Sequence, residues 1–331
     1  MTEGRPATAR RILLIGSDNP WRMESAVERA FQRAGHTTLL IDDRRTKRVV
    51  GRRLTQQLAL RHAKRFKPDF VFLSKCLALD PETVGAIING VQNVMWYHDP
   101  QWYRDMNRMD VAHIATIGGL ATTFFVTGFD DEWRANGLPA LYLPAAGDSR
   151  IGAEPMDRRF ASDVAFIGTG YDPERARLLL AVARKHDIRV WGLGWDEWKG
   201  PLRWGGRPVE GRDFARVCSS ASIMLGINPA RAAGGTTYTS DRTWMVMLAG
   251  AFYLGQKTPG VAAMLKDGEH CAWYDGDESC IEKCTWYLAH PDERVRIRTE
   301  GERFVRAHHT YDQRIANLLE NRAFVNPLAA R

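Results

Sequence analysis

The chain has 331 residues, 44% of them hydrophobic and 26% charged, with a formal net charge of +7. These values exclude a disordered chain, a fibre and a disulfide-stapled miniprotein, and the length predicts two domains, because one hydrophobic core rarely grows that large. No apolar run approaches the roughly 18 residues needed to cross a bilayer. The basic stretch Met1 to Asp18 has Ile12-Leu13-Leu14-Ile15 as its apolar run, too short for a signal-peptide core. The five cysteines, Cys76, Cys218, Cys271, Cys280 and Cys284, form no C-x-x-C pair. Cys280 and Cys284 lack His partners at zinc-ligand spacing, so they read as buried, reduced thiols of a cytoplasmic protein.

In chain order, Arg11–Gly16 reads as a strand, Arg22–Ala34 as an amphipathic helix and Thr37–Ile41 as a second strand. A basic segment follows. Arg44 to Lys67 carries ten Lys or Arg and no acid, while the rest of residues 1–150 is net negative. Leu54 and Leu58, four apart, predict a helix with those leucines buried. Arg45, Arg48 and Arg52 recur at helical spacing, as do Arg61, Lys64 and Arg65. A charge run of this kind is more commonly a solvated helix face than a polyanion-binding surface, and the absence of interleaved acids keeps the second reading open beside the first. Short apolar runs at Phe70–Leu73, Val91–Trp96, Thr122–Val126 and Leu141–Leu143 continue the strands. The alternation of strands with helices predicts a parallel sheet covered on both faces.

Residues 1–148 form the predicted first domain and 149–162, irregular and polar, the linker. A second α/β unit spans residues 163–310, with strands at Asp163–Ile167, Ile188–Trp191, Ile223–Ile227, Ala251–Leu254 and Cys271–Tyr274. Helices are predicted at Pro173–Lys185, Arg242–Leu248, Ser279–Leu288, Asp292–Val305 and Asp312–Asn321, the last within a crossing helix and tail at residues 311–331. The fold class is α/β, two Rossmann-like domains facing across a cleft. Ligands of such sheets bind outside the carboxyl ends of the strands, so the chemistry belongs on the loops that follow them.

Four places on those loops stand out. Gly168-Thr169-Gly170 follows a strand and precedes a helix, where glycine lets backbone approach a phosphate. Neither this turn nor Ile15-Gly16-Ser17-Asp18 is a dinucleotide fingerprint or a phosphate-binding P-loop, so no dinucleotide site is read. Trp191-Gly192-Leu193-Gly194-Trp195 either floors a base pocket with Trp195 or packs a tight turn. Ser240-Asp241-Arg242 opens a helix, with Ser240 or Asp241 as cap. Arg242 there opposes the helix dipole unless an anion sits beside it, which makes it the strongest chemical signal in the chain. His98 and Asp99, after the strand ending at Trp96, are candidate general bases toward an acceptor hydroxyl, or a turn before Pro100. Asp275-Gly276-Asp277 matches a D-x-D metal pattern, but Asp277 is read as the cap of the next helix.

Residues Asp163 to Arg314 resemble the glycosyltransferase domain of CgeB-like proteins, a GT-B group. The resemblance rests on Phe166-Ile167-Gly168-Thr169 with Arg175, Trp191 to Trp195, Leu225 to Asn228, Arg242 to Gly250, Pro259 to Glu269, and His309-Thr310-Tyr311 with Arg314. It implies sugar transfer from a nucleotide-sugar, as co-substrate, to an acceptor hydroxyl, with cationic side chains rather than a metal on the leaving diphosphate. The donor would meet Gly168, Thr169, Gly170, Arg175, Ser240 and Arg242, with Trp195 near the base. The final helix would cross back to the first domain. The family usually carries Glu at the position of Met245, so either Asp241 or Glu269 takes over the ribose or the donor is bound differently. The basic segment in the acceptor half implies a polyanionic acceptor, with a hydroxyl-bearing modified base in DNA as the farthest version. The alternatives are a non-catalytic nucleotide- or nucleic-acid-binding protein of the same fold and a nucleotide-sugar epimerase.

Overall fold

The computed structural model describes residues 9–99, 109–198, 200–228 and 237–329. They divide into two compact units: residues 1–144 with 311–324, and residues 145–310 with 325–331.

Unit 1 holds a parallel sheet of β1 (Arg11–Ile15), β2 (Thr37–Ile41), β3 (Phe70–Leu73), β4 (Gln92–Tyr97), β5 (Thr123–Val126) and β6 (Ala140–Tyr142), in the order β2-β1-β3-β4-β5-β6. Leu13 pairs in register with Leu39 on one side and Val71 on the other. Ile12 to Ile15 and Phe70 to Leu73 are fully buried, as expected of central parallel strands covered on both faces. The helices are α1 (Met23–Arg33), α2 (Asp43–Phe66), α3 (Pro81–Ile88), α4 (Met109–Leu120) and α5 (Asp130–Ala135). Strand order reverses beside β1, so the switch point of this sheet lies at the carboxyl ends of β1 and β3.

The basic segment is helical almost throughout, with one break. Gly51, at φ 80° and ψ 167°, divides α2 into two limbs. The buried face is not Leu54 and Leu58. Leu54 is half exposed, and the residues packed inward are Thr55, Ala59 and Ala63. Small residues at four-residue spacing let α2 lie close to its neighbours, which turns the leucines outward or to the flank.

Unit 2 is built on β7 (Ser162–Ile167), β8 (Ile188–Trp191), β9 (Arg203–Trp204), β10 (Ala221–Gly226), β11 (Tyr253–Gln256) and β12 (Ala272–Tyr274), in the order β12-β11-β10-β7-β8-β9, all parallel. Its switch point lies between β7 and β10. The helices are α6 (Pro173–Ala183), α7 (Gly211–Ser220), α8 (Asp241–Leu248), α9 (Pro259–Met264), α10 (Asp277–Ala289) and α11 (Pro291–His308). Val164, Phe166, Leu179, Val190, Ile223 and Leu254 centre its core.

Residues 149–162 are not a free linker. The Glu154 and Asp157 amides donate to Ser219 and Ser220 at 3.0 and 2.9 Å, and Ile151 is buried, so the segment is fastened to unit 2. The chain returns to unit 1 at α12 (Tyr311–Glu320). There Arg314, fully buried, donates to Pro144 O at 3.1 Å, and Arg33 pairs with Asp312 at 2.7 Å. His309 stacks on Trp244 within unit 2 at 4.2 Å, while Tyr311 meets Trp96 edge-on within unit 1. His309-Thr310-Tyr311 is therefore where the chain changes units.

All five cysteines are free and buried. Among the described residues no helix is long and apolar enough to cross a membrane.

Candidate active site

In unit 2 the glycine turns after β7 and β8 pack backbone against backbone. The Gly168 amide donates to Trp191 O and the Gly170 amide to Leu193 O, both at 2.8 Å. A Cβ on Gly192 would come within 2.1 Å of Gly168 O, and one on Gly170 within 2.4 Å of Gly194 O. These glycines serve close approach, and two of the three amides expected to meet a phosphate are already used. The Thr169 amide alone has no hydrogen-bond partner among the described residues, and Thr169 is exposed.

Trp195 does not offer a face to a base. It is buried, donates its indole N–H to Gly168 O at 2.7 Å and packs edge-on against Phe166. It braces the turn. The exposed aromatics beside the turns are Tyr171 and Trp204, which sequence periodicity had no means to distinguish from packed rings.

Arg175 and Arg242 meet at the switch point. Arg175 lies on α6 and is 4% exposed. It donates to Thr169 O at 2.9 Å and to Ile227 O at 3.2 Å, joining the chain after β7 to the chain after β10. Arg242, half-buried in the first turn of α8, donates to Ile167 O. The two guanidiniums lie 5.2 and 5.4 Å from the centroid of the same Phe166 ring. No carboxylate pairs with either among the described residues. Burial, and then the charge of Arg242, lower the Arg175 pKa to about 10. The Arg175 Nε is buried without a partner. Two adjacent cations with no ion-pair partner among the described residues, beside a helix start, are a combination whose charge suits an anion.

Ser240 is the N-cap of α8, its hydroxyl accepting from the Arg242 amide at 3.4 Å. Asp241 begins the helix, one turn ahead of the half-buried Met245 and on the same face. Glu269 is elsewhere. Its loop precedes β12 and so lies at the amino ends of the strands, opposite the Gly168 turn, where its carboxylate pairs with Lys266 at 3.3 Å and faces His270 at 3.2 Å. Glu269 is thus no donor ligand: loops that precede parallel strands and loops that follow them lie at opposite ends of the sheet. Asp277 is not a cap either. Gly276 holds that position, and Asp277 pairs with Arg177 at 2.8 Å.

In unit 1, His98 and Asp99 follow β4; Pro100 lies outside the described residues. Asp99 is ion-paired with Lys75, the residue after Ser74 at the end of β3. His98 is half-buried, and its Nδ1 is buried without a hydrogen-bond partner. Lys75 was not anticipated, although a cation directly after an apolar strand is a readable signal.

The basic set does not form one patch. Arg45 pairs with Asp18 at 2.7 Å, and Arg52 pairs with Asp80. α2 runs from the carboxyl end of β2 to the amino end of β3. Arg45 and Arg48 therefore stand near the carboxyl ends of the strands, and Arg61, Lys64 and Arg65 at their amino ends.

Residues 175–320 match a family model described as glycosyl transferase-like. Comparison with curated proteins finds no match. Among solved structures, HepE of Anabaena in complex with UDP and glucose superposes at a TM-score of 0.63 with 10% identity, covering 94% of this chain and 100% of that one. Sucrose-phosphate synthase from Thermosynechococcus elongatus gives 0.64 and 12%, covering 94% and 98%. An alpha-glucosyltransferase in complex with UDP and a 13-mer DNA containing a HMU base gives 0.64 and 10%, covering 95% and 98%. At such identities the likeness shows the fold: α/β, with the two Rossmann-like units of the GT-B class.

Proposed function

We propose that the protein is a CgeB-like glycosyltransferase that moves a sugar from a nucleotide-sugar to an acceptor hydroxyl. The observation that carries this reading is the pair Arg175 and Arg242 at the switch point of unit 2. Two cations with no ion-pair partner among the described residues, fixed by backbone carbonyls and standing beside a capped helix start, suit a diphosphate whose negative charge grows as the sugar leaves. The glycosyl transferase-like match of residues 175–320, which contains both arginines, supports it.

In this reading Arg242 and the Thr169 amide hold the diphosphate, and Arg175 fixes the turn and adds its charge. Asp241, one helical turn before Met245, takes the ribose. No metal is needed, because the charge is met by arginines and the helix dipole. His98 is the base toward the acceptor hydroxyl, and Lys75 holds Asp99 as its charged neighbour. The acceptor is polyanionic, with a hydroxyl-bearing base in DNA as the farthest version; the cations of α2 support it, and so does a solved neighbour that carries DNA. The protein works in the cytoplasm, in keeping with its buried free thiols.

The test is a thermal-shift screen of nucleoside diphosphates and nucleotide-sugars, with and without a divalent metal. A ligand that binds only the folded state raises the midpoint. The expected result is a metal-independent shift for one diphosphate, lost in Arg242→Ala. No shift with any nucleotide overturns the donor site. Release of free nucleoside diphosphate that depends on an acceptor separates transfer from an epimerase or a non-catalytic binder.

A further inference from the structure

The first limb of α2 borders a hollow of about 410 Å³ lined by Arg44, Lys47, Arg48, Leu77 and Ala78. Arg44, Lys47 and Arg48 are all exposed, and among the described residues none of them is ion-paired. The other wall is the loop after β3, and three side chains of α2 hold it in place. Asp43, 2% exposed, accepts the Ala78 amide at 2.7 Å. Gln56 donates to Ala78 O at 2.8 Å and accepts the Asp80 amide at 2.9 Å. Arg52 pairs with Asp80, so its charge is spent on the wall. The acids nearest the cations are likewise engaged. Asp42 accepts the amides of Arg45 and Asp18, and Asp43 is turned inward onto the Ala78 amide, where burial pushes its carboxyl above the ordinary range.

The position of this hollow matters as much as its charge. It joins the start of the helix after β2 to the loop after β3, the two elements that flank β1 at the carboxyl end of the sheet. The loop after β3 forms one side of the switch point, and doubly wound sheets take their ligands at that end. Three cations within five residues, around one braced hollow, match a compact group of high charge better than an extended strand of single charges. A nucleic-acid strand needs free cations spaced along its length; Arg45 and Arg52 are paired with Asp18 and Asp80, and Arg61, Lys64 and Arg65 stand at the other end of the sheet, along a limb about 22 Å long at 1.5 Å per residue.

We propose that this hollow is an anion subsite that takes a phosphomonoester or diphosphate group of the acceptor, held by Arg44, Lys47 and Arg48. The assignment to the acceptor rests on the transferase reading above; the binding itself does not.

The test is calorimetric titration of the full chain with inorganic tripolyphosphate, at two salt concentrations. An Arg242→Ala background removes the donor site from the measurement. Binding is expected to persist in that background, and to weaken at least tenfold in Arg44→Gln/Lys47→Gln/Arg48→Gln and in the single Arg48→Glu. It is expected to be unchanged in Arg61→Gln/Lys64→Gln/Arg65→Gln. All these side chains are exposed, and an unchanged melting temperature confirms that each variant is folded. Equal weakening in both triple variants would mean diffuse attraction and overturns the subsite. So does binding that disappears with Arg242→Ala alone, and so does a chain that ignores tripolyphosphate yet binds duplex DNA through both ends of α2. Failure of the donor reading shows separately, as absence of a nucleotide shift while tripolyphosphate still binds.

Discussion

At the scale of single residues the proposed donor site depends on what is missing. Gly168 has no side chain, and a Cβ there would come within 2.3 Å of Arg242 Nη1 and 2.7 Å of the Phe166 ring. The guanidinium is the flexible party, because Phe166 is buried and packed. Gly168→Ala is therefore expected to displace Arg242 from Ile167 O and to weaken nucleoside diphosphate binding at least tenfold, while lowering the melting temperature by only a few degrees. Calorimetric binding beside a melt checks both halves. A variant that binds normally would show that Arg242 reaches the anion without its present anchor. Arg242 itself was legible because a cation in a first helical turn opposes the dipole and asks for a reason. Arg175, by contrast, needed the resemblance, since a helical arginine gives no sign of being buried between two loops. The Lys75–Asp99 pair was hidden for another reason: the two residues are brought together only because β3 and β4 are neighbours in the sheet.

At the scale of elements, α2 is where pattern reading met its limit. The core strands were legible to within two residues, because strands buried on both faces are near-continuous apolar runs. α2 buries Asp43, Thr55, Ala59 and Ala63, which carry almost no hydrophobic signal, while Leu54 and Val49 face outward. Its bend was equally quiet, since a lone glycine in a polar helix reads as a mild weakness. The dihedrals of Gly51 lie in a region essentially restricted to glycine, and a Cβ there would touch nothing within 4 Å. Gly51→Ala is thus a test of backbone strain free of any clash. The expected cost is about 1–3 kcal/mol, read as a melting temperature lower by roughly 2–4 °C for each kcal/mol. If the limbs instead straighten into one helix, Arg44, Lys47 and Arg48 leave the wall that Asp43 and Gln56 hold. Tripolyphosphate binding would then fall while stability held. A variant unchanged in both properties would mean that the bend is soft.

At the scale of the whole molecule, the return of the chain through α12 makes unit 1 discontinuous in sequence. Tyr311, Arg314, Ile315 and Leu318 are buried, and Gln92 donates to Leu319 O at 2.7 Å. Removing three large apolar side chains from such a face costs roughly 1.5–3 kcal/mol each. Losing a partner for a buried polar group adds about 1–3 kcal/mol. Together these losses rival the roughly 5–15 kcal/mol that stabilises a domain. Unit 2 is affected less, because the segment it loses is the short tail anchored by Asn326 on Ala263 O at 2.7 Å, while His309 on Trp244 remains. A chain ending at Thr310 is therefore expected to lose the calorimetric transition of unit 1 and keep that of unit 2. It should still bind a nucleoside diphosphate through Arg175 and Arg242, with tripolyphosphate binding at the Arg44, Lys47 and Arg48 hollow abolished. The two titrations on one truncated protein thus assign each anion to its unit. Loss of both together would show that unit 2 cannot stand without the first, and survival of both would mean that α12 is an accessory to unit 1 rather than part of its core.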